Sequence, residues 1–178
     1  MFKSFYADAY FENIKEISPE YLKEKGIEGI ILDIDNTLIG HDVPIPDGKT
    51  MAHLRLFESA GLKLCVVSNN KYERVKNFTE KIGVEFFVHE ALKPKRHGYN
   101  EASKEMGLPM NKIAAIGDQI FTDVWGAKRA GCLAILTKPL HKGNEGKFIA
   151  FKRVLEKPFV RKARNYYNKI EKTNLNEV

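Results

Sequence analysis

The sequence predicts an α/β fold, a parallel sheet with helices packed on both faces. Three observations predict it. Five short apolar runs recur along the chain, stretches of helical period lie between them, and polar residues follow several of the runs. Alternation of that kind is the pattern of βαβ units, whose strands are buried on both sides and so read as continuous apolar runs.

Each element has its own local reason. A helical stretch begins where Ser18 can cap it and Pro19 can occupy its first turn, and Gly26 lies beyond its end. The first run, Gly29-Ile30-Ile31-Leu32, ends in Asp33. The second, Leu62 to Val67, ends at Ser68-Asn69-Asn70. The third is Glu85-Phe86-Phe87-Val88, the fourth Lys112 to Ile116, and the fifth Cys132 to Leu136. Helical period fills 48–60, 71–82, 95–107 and 122–130. Gly83 and Gly131 close two of these stretches and Gly61 follows a third. There is no internal repeat and no low-complexity segment.

Composition sets the limits. The chain has 178 residues, 43% apolar and 29% charged. That suits one ordinary domain with a real core and excludes disorder, collagen-like repeats and coiled coil. No stretch approaches the roughly 18 apolar residues of a membrane span. Asp8, Glu12, Lys15 and Glu16 interrupt the N-terminus where a signal peptide needs an apolar core. Cys65 and Cys132 each sit in an apolar run and read as buried thiols of a reducing compartment, so a cytoplasmic location is expected. The five histidines lack paired metal spacing, which argues against zinc. Walker, Gly-x-Ser-x-Gly and dinucleotide fingerprints are absent.

Charge is unevenly divided. From His141 onward there are ten basic and four acidic side chains, which account for the whole net charge of +6; residues 1–140 balance. Two regions are therefore expected: 1–140 as the α/β domain, and 141–178 as a basic, partly amphipathic helical extension. Asn144 and Gly146 mark a hinge between them, and Pro158 is expected to break any helix that precedes it. Beyond it, Val160, Ala163, Tyr167 and Ile170 recur at helical spacing, with Arg161, Lys162, Arg164 and Lys169 on the other side. Such a helix either lies on an anionic membrane or docks its apolar face on the domain or a partner subunit. No nucleic-acid motif accompanies it, so nucleic acid is not an expected partner.

In a parallel sheet, ligands bind beyond the carboxyl ends of the strands. The residues found there are Asp33 and Asp35, Ser68 and Asn69, Lys93 shortly after the third run, and Gly117-Asp118. They are the types that phosphate and divalent-metal chemistry requires. Residues two apart on an extended segment point the same way, so Asp33 and Asp35 are placed to face one site. Paired carboxylates resist joint ionisation unless a cation lies between them, and magnesium suits oxygen donors of this kind. Asp33 then reads as a nucleophile toward phosphorus and Asp35 as the group that protonates the leaving oxygen and later activates water. Thr37 offers a hydroxyl and N–H to phosphoryl oxygens. Ser68 and Asn69, before a helix, form an anion pocket. Lys93 supplies a fixed cation against developing charge. Asp118 reads as a direct metal ligand, and Asp123, five residues on, as a more distant metal partner. Each has a plainer reading: a turn at Asp33 to Thr37, helix caps at Asn69, Asn70 and Thr122, a solvated lysine. Their order and position after strands set them apart.

Asp33-x-Asp35-x-Thr37, Ser68, Lys93 and Gly117-Asp118-x-x-x-x-Asp123, in that order, resemble the haloacid dehalogenase (HAD) superfamily of aspartate-nucleophile phosphatases, over roughly residues 28 to 140. Leu-Asp-Ile-Asp-Asn-Thr-Leu, Val-Ser-Asn-Asn, Lys-Pro and Gly-Asp-Gln-Ile-Phe-Thr-Asp are similar to the YqeG group of its subclass IIIA, and mitochondrial phosphatidylglycerophosphate phosphatases are similar too. The resemblance implies a HAD-like (Rossmannoid) sheet and a magnesium-dependent phosphomonoesterase. It makes Asp33 the nucleophile and Asp35 the general acid/base, with Ser68 and Lys93 holding phosphate. Asp33, Asp118 and the Asp35 carbonyl would bind Mg2+. The intervals from Thr37 to Ser68 and from Ser68 to Lys93 are too short for a cap domain. An open site implies a bulky substrate such as a phospholipid head group, a homo-oligomer that completes the pocket, or both. The alternatives are the same chemistry on a soluble sugar, nucleotide or protein phosphate, a phosphoacceptor signalling module, and a non-catalytic binding protein using the basic tail. The motif order opposes the signalling module, because here the acceptor aspartate lies within the Asp-x-Asp pair.

Overall fold

A computed structural model of the chain describes residues 2–40, 43–140 and 147–175. His41 and Asp42, next to the first motif, and the expected hinge at Asn144 and Gly146 lie outside the described residues. Six parallel strands form one sheet: β1 (Ala9–Phe11), β2 (Gly29–Leu32), β3 (Lys63–Val67), β4 (Phe86–Val88), β5 (Ile113–Gly117) and β6 (Leu133–Thr137), in the order β1-β6-β5-β2-β3-β4. The helices are α1 (Pro19–Glu24), α2 (Gly48–Ser59), α3 (Tyr72–Ile82), α4 (His97–Met106), α5 (Trp125–Ala130) and α6 (Lys147–Leu175).

Alternation along the strands separates two cores. Ile30, Leu32, Leu64, Val66 and Ile116 face Leu54 and Phe57 of α2 and Val75, Phe78 and Ile82 of α3. Ile31, Cys65, Val67, Ala115 and Leu136 face Tyr99, Ala102 and Met106 of α4 and Ala127 of α5. Both cysteines are free and buried. Burial of the central strands on both faces is why, past Lys63 at the start of β3, they stay apolar until they end.

The helix signals perform as local chemistry requires. Ser18 Oγ accepts the Tyr21 N–H, and Asp47 Oδ1 accepts the Thr50 N–H at the start of α2. Gly83 and Gly131 end α3 and α5 in the left-handed conformation, at φ 73° and 94°.

Two elements differ from expectation. Strand β1 was not legible: three residues, Ala9-Tyr10-Phe11, give too short a run, and pairing with β6 rather than their own pattern makes them a strand. Pro158 does not break its helix, because α6 continues through it. Pro158 lies on the exposed side, one turn after exposed Val154, whose carbonyl is the one that loses its helical partner. Docking holds the helix on either side of that point. Phe159, Val160, Ala163 and Tyr167 pack on the core. The Tyr167 ring lies 5.2 Å from Phe11 and 6.1 Å from Tyr10, over edge strand β1.

The chain runs from β2 outward to β3 and β4, then returns past β2 to β5 and β6. The strand order therefore reverses between β2 and β5. In such sheets the crevice beyond that switch point is where ligands bind.

Candidate active site

Strand register brings the acidic residues together. Leu32 pairs with Ile116, and the Asp33 N–H donates to the Ile116 carbonyl at 3.0 Å. Asp33 thus leaves β2 beside Gly117, and Asp118 follows directly from β5. The chain then makes a π-helical turn, Ile120–Val124, which swings Asp123 back toward the strand end. Gly117 is required for that return: a Cβ there would stand 2.4 Å from the Asp123 side chain.

Asp33, Asp118 and Asp123 are all buried, and one carboxylate oxygen from each lies within 4.8 Å of the others. Lys93 is the cation among them. Its Nζ donates to Asp33 Oδ1 at 2.5 Å and to Asp123 Oδ1 at 2.7 Å, and its side chain is 5% exposed. The loop that delivers it is fastened to the end of β3. The Ala91 N–H donates to the Ser68 carbonyl, and the Glu90 N–H to that of Asn70. The Asn69 side chain brackets the Lys93 backbone, accepting its N–H at 2.7 Å and donating to its carbonyl at 3.3 Å. Leu92 sits at φ 54°, an uncommon conformation for a branched residue, immediately before the lysine.

The remaining contacts divide the carboxylates. Thr37 Oγ1 donates to Asp33 Oδ2 at 3.3 Å. Asp123 Oδ2 accepts from the Gln119 N–H and from Thr122 Oγ1, so both its oxygens are bound by protein. Asp118 Oδ2 accepts from Arg153 of α6 at 2.5 Å. Asp118 Oδ1 is buried with no hydrogen-bond partner. Asp35 stands apart. Its carboxylate accepts from Asn70 Nδ2 at 2.8 Å and from Arg74 of α3 at 2.5 Å, at the half-exposed rim. Ser68 is buried, and its Oγ accepts from the backbone and side chain of Asn70.

Electrostatics follow from this packing. Burial raises Asp33 to about 7; Lys93 opposes the rise and Asp123 adds to it. Burial raises Asp118 well above the carboxylate range, with Asp33 adding and Arg153 opposing. Burial works against the Lys93 ammonium, but Asp123 and Asp33 overcome it and hold its pKa well above the ordinary value. Crowded carboxylates with one orphaned buried oxygen, all donors being oxygen, fit a hard divalent cation. Asp33, Asp118 and Asp123 could each offer it an oxygen, and among these Asp118 Oδ1 is the one that no protein group already meets.

The structure thus gathers Asp33, Asp118, Asp123 and Lys93 into one cluster, with Thr37 against Asp33. Asp35 is joined to Ser68 only through Asn70. Asn69 serves the Lys93 loop, and neither Asn69 nor Asn70 caps α3, whose N-cap is Lys71 without a side-chain bond. Four contributors escaped the sequence reading. Asn70 was visible beside Ser68-Asn69 but read as a cap. Tyr99, whose hydroxyl donates to the Asp123 carbonyl at 3.1 Å, lies inside the helical stretch 95–107 with no local signal of that role. Arg74 and Arg153 carried no signal separating them from other surface bases.

Sheet, switch-point crevice and acid–lysine cluster define a class, and comparison assigns the chain to it. It belongs to the haloacid dehalogenase-like hydrolases, whose family description matches residues 14–131. Within that class it is a phosphatase similar to "Probable phosphatase YqeG" of Bacillus subtilis, 37% identical over 155 residues, covering 87% of this chain and 89% of that one. It is 29% identical over 154 residues to the chloroplastic/mitochondrial phosphatidylglycerophosphate phosphatase 1 of Arabidopsis thaliana, covering 82% of this chain and 44% of that longer protein. Among solved structures, the cobalt-bound deoxy-D-mannose-octulosonate 8-phosphate phosphatase of Haemophilus influenzae shares the fold, with a TM-score of 0.52 at 16% identity. That match covers 79% of this chain and 93% of that one.

Proposed function

We propose that the protein hydrolyses phosphate monoesters in two steps through a phosphoryl group carried on Asp33. The single observation that supports this reading is the buried Asp33 carboxylate, bonded to Lys93 at 2.5 Å and beside the orphaned Asp118 oxygen. Asp33 and Asp118, with the Asp35 carbonyl, would hold Mg2+, which when bound neutralises charge on the carboxylates and on phosphoryl oxygens. Asp33 forms an O–P bond as the ester O–P bond breaks, and the leaving oxygen takes its proton from Asp35. Water then attacks phosphorus, gives its proton to Asp35, and phosphate leaves with Asp33 regenerated. Lys93 keeps the nucleophile oriented and offsets charge on the transferring group. Ser68 and the N–H groups of Thr37 and Asn69 are assigned to phosphate oxygens.

For substrate, we propose phosphatidylglycerophosphate, met at the surface of an anionic membrane by a cytoplasmic enzyme. Three things support this. One is the similarity to the Arabidopsis protein. Another is the short connections β2–β3 and β3–β4, which hold α2 and α3 and no cap domain. The third is the outer face of α6, where Phe151, Val154 and Leu155 are exposed next to exposed Lys157, Arg161 and Lys162. No described helix is long and apolar enough to cross a membrane. The test is phosphate release with and without magnesium from phosphatidylglycerophosphate in vesicles and from soluble sugar, nucleotide and phosphopeptide esters. Magnesium-dependent turnover highest on the lipid supports the whole reading. Turnover confined to a soluble ester removes the lipid, and phosphate release independent of magnesium removes the metal.

A further inference from the structure

Helix α6 brings two side chains, one turn apart on one face, to the loop after β5. Glu156 is 2% exposed, and its Oε1 accepts the Phe121 N–H at 2.8 Å inside the π-helical turn. That bond fixes the helix against the loop. Arg153 then reaches Asp118, donating to Oδ2 at 2.5 Å and to the backbone carbonyl at 3.4 Å. The Asp118 side chain is fully buried and that of Arg153 is 18% exposed, so this pair is not a screened surface contact.

Direct contacts and close approach join three carboxylates (Asp33, Asp118, Asp123) to two cations (Lys93, Arg153). With all three carboxylates ionised, as a bound dication would hold them, cluster and dication sum to +1. Without Arg153 that sum is zero. We propose that Arg153 sets phosphate affinity through its charge. Bonded to Asp118 Oδ2, it leaves Oδ1 to the cluster and makes the cation-loaded site attract a phosphate dianion. A helix C-terminal to the whole sheet thereby becomes a wall of the site. The inference rests on the phosphatase reading above.

This role has a signature that mere support of the fold lacks. Removing Arg153 weakens phosphate binding but does not weaken magnesium binding, since a cation that repels magnesium is lost. Damage to the loop weakens both. In the full chain, wild type, R153M, R153K, R153Q and the exposed control R161M are compared. Inorganic phosphate affinity is read by calorimetry in saturating magnesium, and magnesium affinity by the metal-induced rise in unfolding temperature. R153M and R153Q are expected to bind phosphate about tenfold more weakly, and R153K within about threefold of wild type, as loss or retention of one charge-assisted contact implies. Half-saturating magnesium stays the same or falls in all of them, and R161M matches wild type. Wild-type phosphate affinity in R153Q, or equal weakening of both ligands, overturns the proposal. R153K and R153Q decide it even where R153M does not fold. If wild type binds both ligands yet releases phosphate from no ester, the phosphatase reading fails, while Arg153 is still judged by the binding series.

Discussion

Asp33 and Asp35 are two residues apart, and their surroundings have little in common. Asp33 is closed in at the end of β2, bonded to Lys93 and Thr37 and crowded by Asp123. Asp35 sits at the rim, fastened to Asn70 and to an exposed arginine one turn into α3. Just beyond Asp35, the Asn36 backbone at φ 64° and the bond from its N–H to the Ile39 carbonyl turn the chain out of extended conformation. The short motif therefore splits into one carboxylate in a dry, charge-dense place and one at the border with water. Divergent environments of this sort let two chemically identical groups take different roles.

The largest test of that division is D33N, expected to lower phosphate release roughly a thousandfold or more, because the atom that bonds to phosphorus is replaced by an amide. D35N is expected to lose on the order of a hundredfold to ten-thousandfold, the range for a general acid–base. Acid quenching during turnover separates the two: phosphoprotein is recovered from D35N and not from D33N. Phosphoprotein in D33N would reassign the nucleophile. R74A releases the Asp35 carboxylate from α3 and is expected to cut turnover about tenfold. It should shift stability by under about 1 kcal/mol, as for other half-exposed ion pairs. A large fall in unfolding temperature would instead make Arg74 a structural support.

The smallest effect is on pH-dependent stability without metal. The folded-state pKa of Asp33 is raised to about 7, above its unfolded value, so its contribution is present in full below about pH 4 and lost as pH rises toward 7. Wild type should therefore lose ground to D33N between those limits, so the wild-type unfolding temperature minus that of D33N falls as pH rises. Magnesium should flatten the trend, since a dication stabilises the ionised carboxylate. A gap independent of pH would show that Asp33 is not held protonated by its surroundings.

Much of the rim could be read from the sequence because strand ends are local events. An apolar run that stops at Asp33, Ser68 or Asp118 declares both the strand and the polar residue beyond it, and the topology does the gathering. What stayed hidden depends on distant packing. Arg74 reaches Asp35 across 39 positions and Arg153 reaches Asp118 across 35, and nothing in the neighbourhood of either arginine encodes that reach. The Ala9–Phe11 strand is equally silent, since its identity is conferred by β6. Pro158 misled for a related reason: its cost depends on which side of the helix meets solvent, and only docking decides that.

Tyr167 lies over the outermost strand, and Arg153 on the same helix serves the acidic cluster. A growing polypeptide whose last strand has left the ribosome while α6 is still in the exit tunnel would have a naked sheet margin and an unfinished site. Cover over β1 and the Arg153–Asp118 contact then arrive together, when one late helix settles.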